Sequence, residues 1–292
     1  MLNYRLKISL LSLLCSFISF ASVAQKVKEP QHISPEWSKP YPAFRIAGNL
    51  YYVGTYDLAC YLVATPEGHI LINTGLAASD KMIRASIESL GFKFDDVKIL
   101  LTTQAHYDHM GAMAVIKKMT GARMMVDEKD AGVMEDGGSS DYALGGSGMT
   151  YKPVKADRLL HDGDTVKLAG TSLVLLEHPG HTKGSCSFLF DVEDEHRSYR
   201  VLIANMPSIV TDKKFSEVTA YPDIAKDYAY TLSAMKNLSF DIWLSSHASQ
   251  FGLHTKHKPG DAYNPAVFME RAGYDAALKD LQGQYDKKIA RN

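Results

Sequence analysis

Leu100-Leu-Thr-Thr-Gln104-Ala-His106-Tyr-Asp108-His109-Met-Gly111 ends an apolar run in four metal-capable side chains within six residues. Val97 to Leu101 is a short run of strand type, and Met110 to Thr120 suits a helix closed by Gly121. The cluster therefore falls in a strand-to-helix turn, which places side chains at the carboxyl edge of a sheet, where α/β proteins bind ligands. If the segment is extended, residues 104, 106 and 108 share one side and His109 points away, an arrangement that presents ligands to two metals rather than one. Imidazole and carboxylate are zinc donors, whereas the amide oxygen of Gln104 is a far weaker one. A metal held through Gln104 is expected to be held less tightly. A single loop histidine is most often an ordinary polar residue, but that reading does not account for a cluster directly behind a strand.

On the amino-terminal side, Leu50 to Gly54, Ala59 to Ala64 and His69 to Asn73 read as a strand meander, with Pro66-Glu67-Gly68 as a turn. A helix with Ile83, Ile87 and Leu90 on one face follows Ser79 or Asp80 and stops at Gly91. Residues 25 to about 47, with Pro30, Pro35, Pro40 and Pro42, suit an irregular arm. On the carboxyl side, Arg123 to Val126 reads as a strand. Gly132 to Lys152, rich in glycine and serine, reads as a long loop and is expected to form a mobile flap beside the site. Further strands are expected at Val166 to Leu168, Leu173 to Leu176, Ser185 to Phe190, Tyr199 to Ala204 and Asp241 to Leu244. Two helical stripes, Ile224/Tyr228/Leu232/Met235 and Tyr274/Leu278/Leu281/Tyr285, complete the second half. Two strand-rich halves, each with helices, suggest two sheets face to face with helices outside.

The 292 residues, 46% hydrophobic, can bury a substantial core. A formal charge of -1 with 22% charged residues gives no basic patch, so no nucleic-acid partner is expected. Arg5 and Lys7 precede an apolar stretch from Ile8 to Phe20, followed by Ala21-Ser22-Val23-Ala24, the pattern of a signal peptide cut after Ala24. Residues 25–292 then form the mature domain, with a formal charge of -3 once Arg5 and Lys7 are gone. The expected compartment is the periplasm, without stable membrane insertion of the mature chain. Cys15 leaves with the leader, and Cys60 and Cys186, each in an apolar run, are expected to be buried free thiols rather than zinc ligands.

His181 follows Glu177-His178-Pro179-Gly180 at the end of the run Leu173 to Leu176, and His247 closes Ile242-Trp243-Leu244 in the same way. Either alone is as readily a surface histidine. Joined to the first cluster, they make six candidate ligand positions, all at strand ends. The pattern Gln104-x-His106-x-Asp108-His109, then His181 in Pro-Gly-His-Thr, then His247, resembles the metallo-β-lactamase superfamily. Its flavour is that of the third (B-three) subclass of class B β-lactamases, and Gln in place of the first His is similar to the GOB-type members.

The resemblance implies an α/β fold of αββα sandwich type, with one metal on Gln104, His106 and His181 and another on Asp108, His109 and His247. One or two zinc ions per chain are expected, the Asp108/His109/His247 site being the tighter. The implied reaction is hydrolysis of the β-lactam amide of penicillins, cephalosporins and carbapenems by a metal-bound hydroxide, conferring antibiotic resistance. Asp108 would orient the nucleophile and Ser208 would bind the substrate carboxylate. Thioesterases and glyoxalase II-like relatives carry a bridging Asp where Met206 stands here, and a thioether cannot bridge two hard cations. Lys183, Tyr142 and Tyr151 lie in segments expected to rim the site, with ordinary surface roles. Two alternatives stay open: another hydrolase of the same fold, and a zinc-binding protein whose site has lost activity, with Gln104 as its trace. A monomer is expected, since no long apolar stripe calls for a partner.

Overall fold

In the computed structural model, residues 27–291 are described. The proposed leader and Cys15 lie outside them. Seven strands form the first sheet in sequence order: β1 (Phe44–Ala47), β2 (Leu50–Tyr52), β3 (Tyr61–Thr65), β4 (Gly68–Ile72), β5 (Val97–Leu101), β6 (Arg123–Asp127) and β7 (Arg158–Leu160). β1 to β4 are an antiparallel meander, and β4 to β7 run parallel. The change from hairpins to parallel strands requires crossovers. They are made by α1 (Asp80–Ser89), by the pair α2 (Tyr107–Met110) and α3 (Met113–Thr120), and by α4 (Glu128–Glu135) with the glycine-rich loop behind it.

The second sheet has the order β12-β11-β10-β9-β8. Its strands are β8 (Thr165–Leu168), β9 (Thr171–Glu177), β10 (Cys186–Glu193), β11 (Ser198–Ala204) and β12 (Ile242–Ser245), and α5 (Ile224–Lys236), α6 (Leu253–Lys256) and α7 (Arg271–Ile289) accompany them. All of its pairs are antiparallel except β11 with β12.

Side-chain alternation divides the first sheet between two cores. Ile70, Ile72, Ile99 and Leu101 join Leu173, Phe188 and Ile203 of the second sheet in the central core. Leu71 and Leu100, one residue out of phase, face the other way onto Ile83 and Ile87 of α1 and Met113 and Ile116 of α3. Burial on both faces explains why these strands read as continuous apolar runs. Leu232 and Met235 of α5, with Tyr274 and Leu278 of α7, pack on the second sheet and close the αββα sandwich.

Three expectations need correction. Phe44 to Ala47, taken as the end of the irregular arm, pairs with β2, because Ile46 and Ala47 are apolar enough to enter the central core. The loop expected from Gly132 begins only after Glu135. Asp127 caps α4 by accepting the Lys129 amide at 2.9 Å, and Gly132 sits inside that helix. The cluster 104–109 is not extended either, since Tyr107–Met110 is a helical turn. Cys60 and Cys186 are buried free thiols, as expected. Among the described residues no helix is long and apolar enough to cross a membrane.

Candidate metal centre

The carboxyl ends of β5, β9 and β12 deliver the six expected side chains to one edge of the sandwich. His106 stands at the N-cap of α2 in extended conformation, and the single turn that follows swings Asp108 and His109 away from Gln104 and His106. Asp108 therefore sides with His109, not with the residues two and four positions before it. Asn73, held at a φ of 62°, braces the turn from below: its side-chain oxygen accepts the Thr103 amide at 3.0 Å and the Thr102 and Thr103 hydroxyls at 3.2 Å. Gly111 is demanded by close approach, for a Cβ there would lie 2.3 to 2.6 Å from backbone atoms of residues 75–77. His181 is set by Gly180, whose φ of 131° and contact with the Tyr228 ring admit no side chain.

Two groups result. Ligand-capable atoms of Asp108, His109 and His247 all lie within 4.8 Å of one another, with Asp108 Oδ2 at 3.2 Å from His109 Nε2 and 3.4 Å from His247 Nε2. Beside them the rings of His106 and His181 are 4.8 Å apart, and Gln104, two residues before His106, is buried. Gln104 Oε1 and both ring nitrogens of His109 are buried without a hydrogen-bond partner. Orphaned donors and acceptors of this kind are costly in a folded protein unless something else satisfies them. Converging imidazoles and a carboxylate are the donor set of zinc, so the residues present fit that metal.

The distal atoms of the histidines are held as well. His181 Nδ1 donates to the Ser208 carbonyl at 2.8 Å, and His247 Nδ1 faces Asp57 Oδ2 at 3.2 Å, which leaves each Nε2 free toward the site. His106 Nε2 lies 3.4 Å from the carboxylate of Asp141, an ion-pair distance without the alignment of a hydrogen bond, so its Nδ1 is the atom left for a ligand. Burial and the neighbouring His106 lower the His181 pKa to about 3, which keeps that ring neutral and available. Burial also acts to lower His247, but hydrogen bonds to Asp108 and Asp57 outweigh it and raise the pKa to about 9. Burial would raise Asp108; His109 and His247 instead hold its carboxyl well below the usual range.

Sequence reasoning missed the supporting carboxylates Asp57, Asp130 and Asp141. Asp130 Oδ2 accepts the Ala105 amide at 2.9 Å and the Thr182 hydroxyl at 2.7 Å, and Oδ1 accepts the Gly184 amide at 2.8 Å. It thus ties the His106 loop to the His181 loop. Tyr151 is not a surface residue: it is buried, with its hydroxyl on the Ala105 carbonyl at 2.8 Å. Tyr142 likewise donates to the carbonyls of Gly180 and His181. The glycine-rich loop lies beside the site as expected, anchored through buried Asp141. Ser208 is half-buried, its hydroxyl 3.1 Å from His181 Nδ1, and Met206 is buried in the central core.

Residues 54–194 match the family model of the metallo-beta-lactamase superfamily. The class B3 di-zinc metallo-beta-lactamase LRA-12 from an Alaskan soil metagenome is 69% identical, with 90% of this chain and 100% of that one covered and a TM-score of 0.89. GOB-18 from Elizabethkingia meningoseptica, also a metallo-beta-lactamase, is 58% identical, with coverages of 92% and 100% and a TM-score of 0.91. Among curated proteins, YobT of Bacillus subtilis is 28% identical over 145 residues, 48% of this chain and 59% of that protein. The chain spans about half the length of the curated relatives it matches. Similarity at 69% identity to a class B3 structure over 90% of this chain, with the family match at residues 54–194, places this chain in the metallo-beta-lactamase superfamily, as a member of class B3.

Proposed function

We infer that the protein is a zinc-dependent β-lactamase that opens the lactam amide of penicillins, cephalosporins and carbapenems and so confers resistance to them. The observation that carries this reading is the convergence of Asp108, His109 and His247 within 4.8 Å, in a chain 69% identical to a class B3 enzyme. Zinc, when bound, supplies Lewis acidity that brings the pKa of a water to about 7 and draws charge from a carbonyl oxygen. Asp108, His109 and His247 would hold one ion, and Gln104, His106 and His181 a second, weaker one. Asp108, whose carboxyl stays ionised, would accept a hydrogen bond from the attacking water and orient it. Attack on the lactam carbonyl breaks the ring C–N bond, and the freed nitrogen takes a proton, so no acyl-enzyme is needed. Ser208, half-buried at the rim, offers its hydroxyl to the substrate carboxylate.

Met206, buried and without an oxygen donor, argues against the thioesterase-type branch. An intact ligand set, buried except for the half-buried His247, argues against a decayed site. Export to the periplasm rests on the pattern of residues 1–24, with residues 25–292 as the working domain. Among the described residues the exposed large hydrophobics Met119, Leu159, Tyr230, Tyr263 and Ile289 lie in separate segments of the fold, in keeping with the monomer expected from the sequence. The test is hydrolysis of a carbapenem and a chromogenic cephalosporin by the purified mature chain, with zinc counted per chain and a chelator control. Fast, chelator-sensitive turnover is expected; a zinc-loaded protein that turns over neither substrate would sink the reading.

A further inference from the structure

Asp57 belongs to no ligand motif, yet its buried carboxylate is fully engaged. Oδ2 faces His247 Nδ1 at 3.2 Å and accepts the indole N–H of Trp37 at 3.0 Å, while Oδ1 accepts the Ser249 amide at 2.9 Å. Its backbone is used in the same way: the Asp57 amide donates to the Glu36 carbonyl at 3.3 Å, and its carbonyl accepts the Ala248 amide at 2.7 Å. Next to it the Tyr56 amide donates to the Lys39 carbonyl at 2.8 Å. One residue thus joins the amino-terminal arm at 36–39 to the loop that carries His247. The Trp37 ring packs tilted against the His247 ring, centroids 5.4 Å apart, so the arm touches this ligand as well as sharing its acceptor.

We propose that Asp57 is a positioning residue that couples docking of the arm to metal loading at Asp108, His109 and His247. By accepting the Nδ1 proton of His247 it sets the tautomer and ring plane that direct Nε2 inward. A metal that pins His247 in turn pins the carboxylate on which Trp37 rests. The linkage is reciprocal, so whatever loosens the arm at Asp57 weakens the metal site, and loading the metal protects the arm. This inference rests on the metal reading but not on the identity of the substrate.

Asp57→Asn is a nearly isosteric test. An amide has one oxygen, so its NH2 must face either the Ser249 N–H or the donors of His247 and Trp37. Zinc affinity is measured by chelator competition, the ligand field by the visible spectrum of the cobalt-loaded protein, and arm docking by hydrogen exchange at the Tyr56 and Asp57 amides. In the parent, zinc is expected to slow exchange at both amides. In Asp57→Asn the zinc dissociation constant is expected to rise roughly 10- to 100-fold, with a changed cobalt spectrum and no zinc-dependent protection of the arm. Trp37→Phe keeps the bond to His247 and should quicken arm exchange much more than it weakens zinc binding. Zinc affinity unchanged in Asp57→Asn, or arm exchange in the parent indifferent to zinc, overturns the proposal. A parent that binds no zinc overturns it together with the metal reading, whereas zinc binding without lactam turnover leaves it standing on the exchange data.

Discussion

Asp130 and Thr182, 52 positions apart, are joined by a 2.7 Å hydrogen bond between carboxylate and hydroxyl, and the same carboxylate oxygen holds the Ala105 amide. The loops that carry His106 and His181 are therefore registered against each other by a buried acid that touches neither imidazole through a hydrogen bond. Burial acts to raise the Asp130 pKa, and three donors offset part of that penalty. In Asp130→Asn the amide NH2 confronts the Gly184 N–H or the other two donors. A buried donor left without its acceptor costs about 1–3 kcal/mol. Denaturant unfolding should show a loss of that size, accompanied by weaker zinc binding at the Gln104 side. An unchanged midpoint would remove Asp130 from this role.

Gln104→His addresses the half of the centre expected to bind metal less tightly. Gln104 Oε1 is buried and unpartnered, already placed as a donor, but a neutral amide oxygen binds zinc less well than imidazole nitrogen. Metal counted after dialysis against zinc-free buffer should rise toward two per chain in the variant and stay nearer one in the parent. Equal metal content in both would show that the amide is no handicap.

His178 predicts acid sensitivity. Its ring is buried against the Ser187 hydroxyl at 2.6 Å, and desolvation lowers its pKa from 6.5 to about 4. Between those values the unfolded chain binds a proton that the folded chain does not. Stability from this group is therefore complete above pH 6.5 and is lost as pH falls toward 4, up to about 3 kcal/mol in all. In His178→Asn, unfolding measured from pH 4.5 to 7 should show a shallower acid-side decline. An identical pH profile would assign the decline to other groups.

Asp127 predicts the opposite slope. Buried and facing Glu177 and Asp130, it has a carboxyl pKa raised from 3.8 to about 8, chiefly by desolvation. The folded chain then binds a proton that the unfolded chain has lost, so this contribution to stability is present in acid and disappears as pH rises through about 8. Asp127→Asn keeps an oxygen for the Lys129 amide and cannot ionise. It should be more stable than the parent at pH 8.5, with the difference shrinking by pH 6. A parent that is the more stable at pH 8.5 would contradict the assignment.

How much of this was legible in the sequence follows from the range of each interaction. Strand periodicity is local, so nearly every strand and the two long helices were readable from side-chain pattern. β1, the three-residue β7 and α4 were not, because proline and glycine near them imitate irregular chain. The N-cap Asp127 was a signal for α4 that the neighbouring glycines obscured. The expected pairing of Asp108 with residues 104 and 106 on one face failed for a similar reason: four residues of helix, too short to announce themselves by periodicity, reverse the direction of Asp108.

The chain by itself determined the chemistry of the centre. Histidines and an aspartate at strand ends, with one Gln among them, are local facts of residue type and spacing, and they point to zinc as the metal. Only the tertiary structure decided which acids support those ligands. Asp57 meets His247 across 190 positions, Asp130 meets Thr182 across 52, and Asp141 reaches His106 from within the glycine-rich loop. In sequence these are ordinary aspartates among many, since no local spacing distinguishes an acid that packing will desolvate from one left in water. Their roles arise when two sheets close on a shared core and bring remote loops to a single edge, where a buried carboxylate is stable only if donors from other loops meet it.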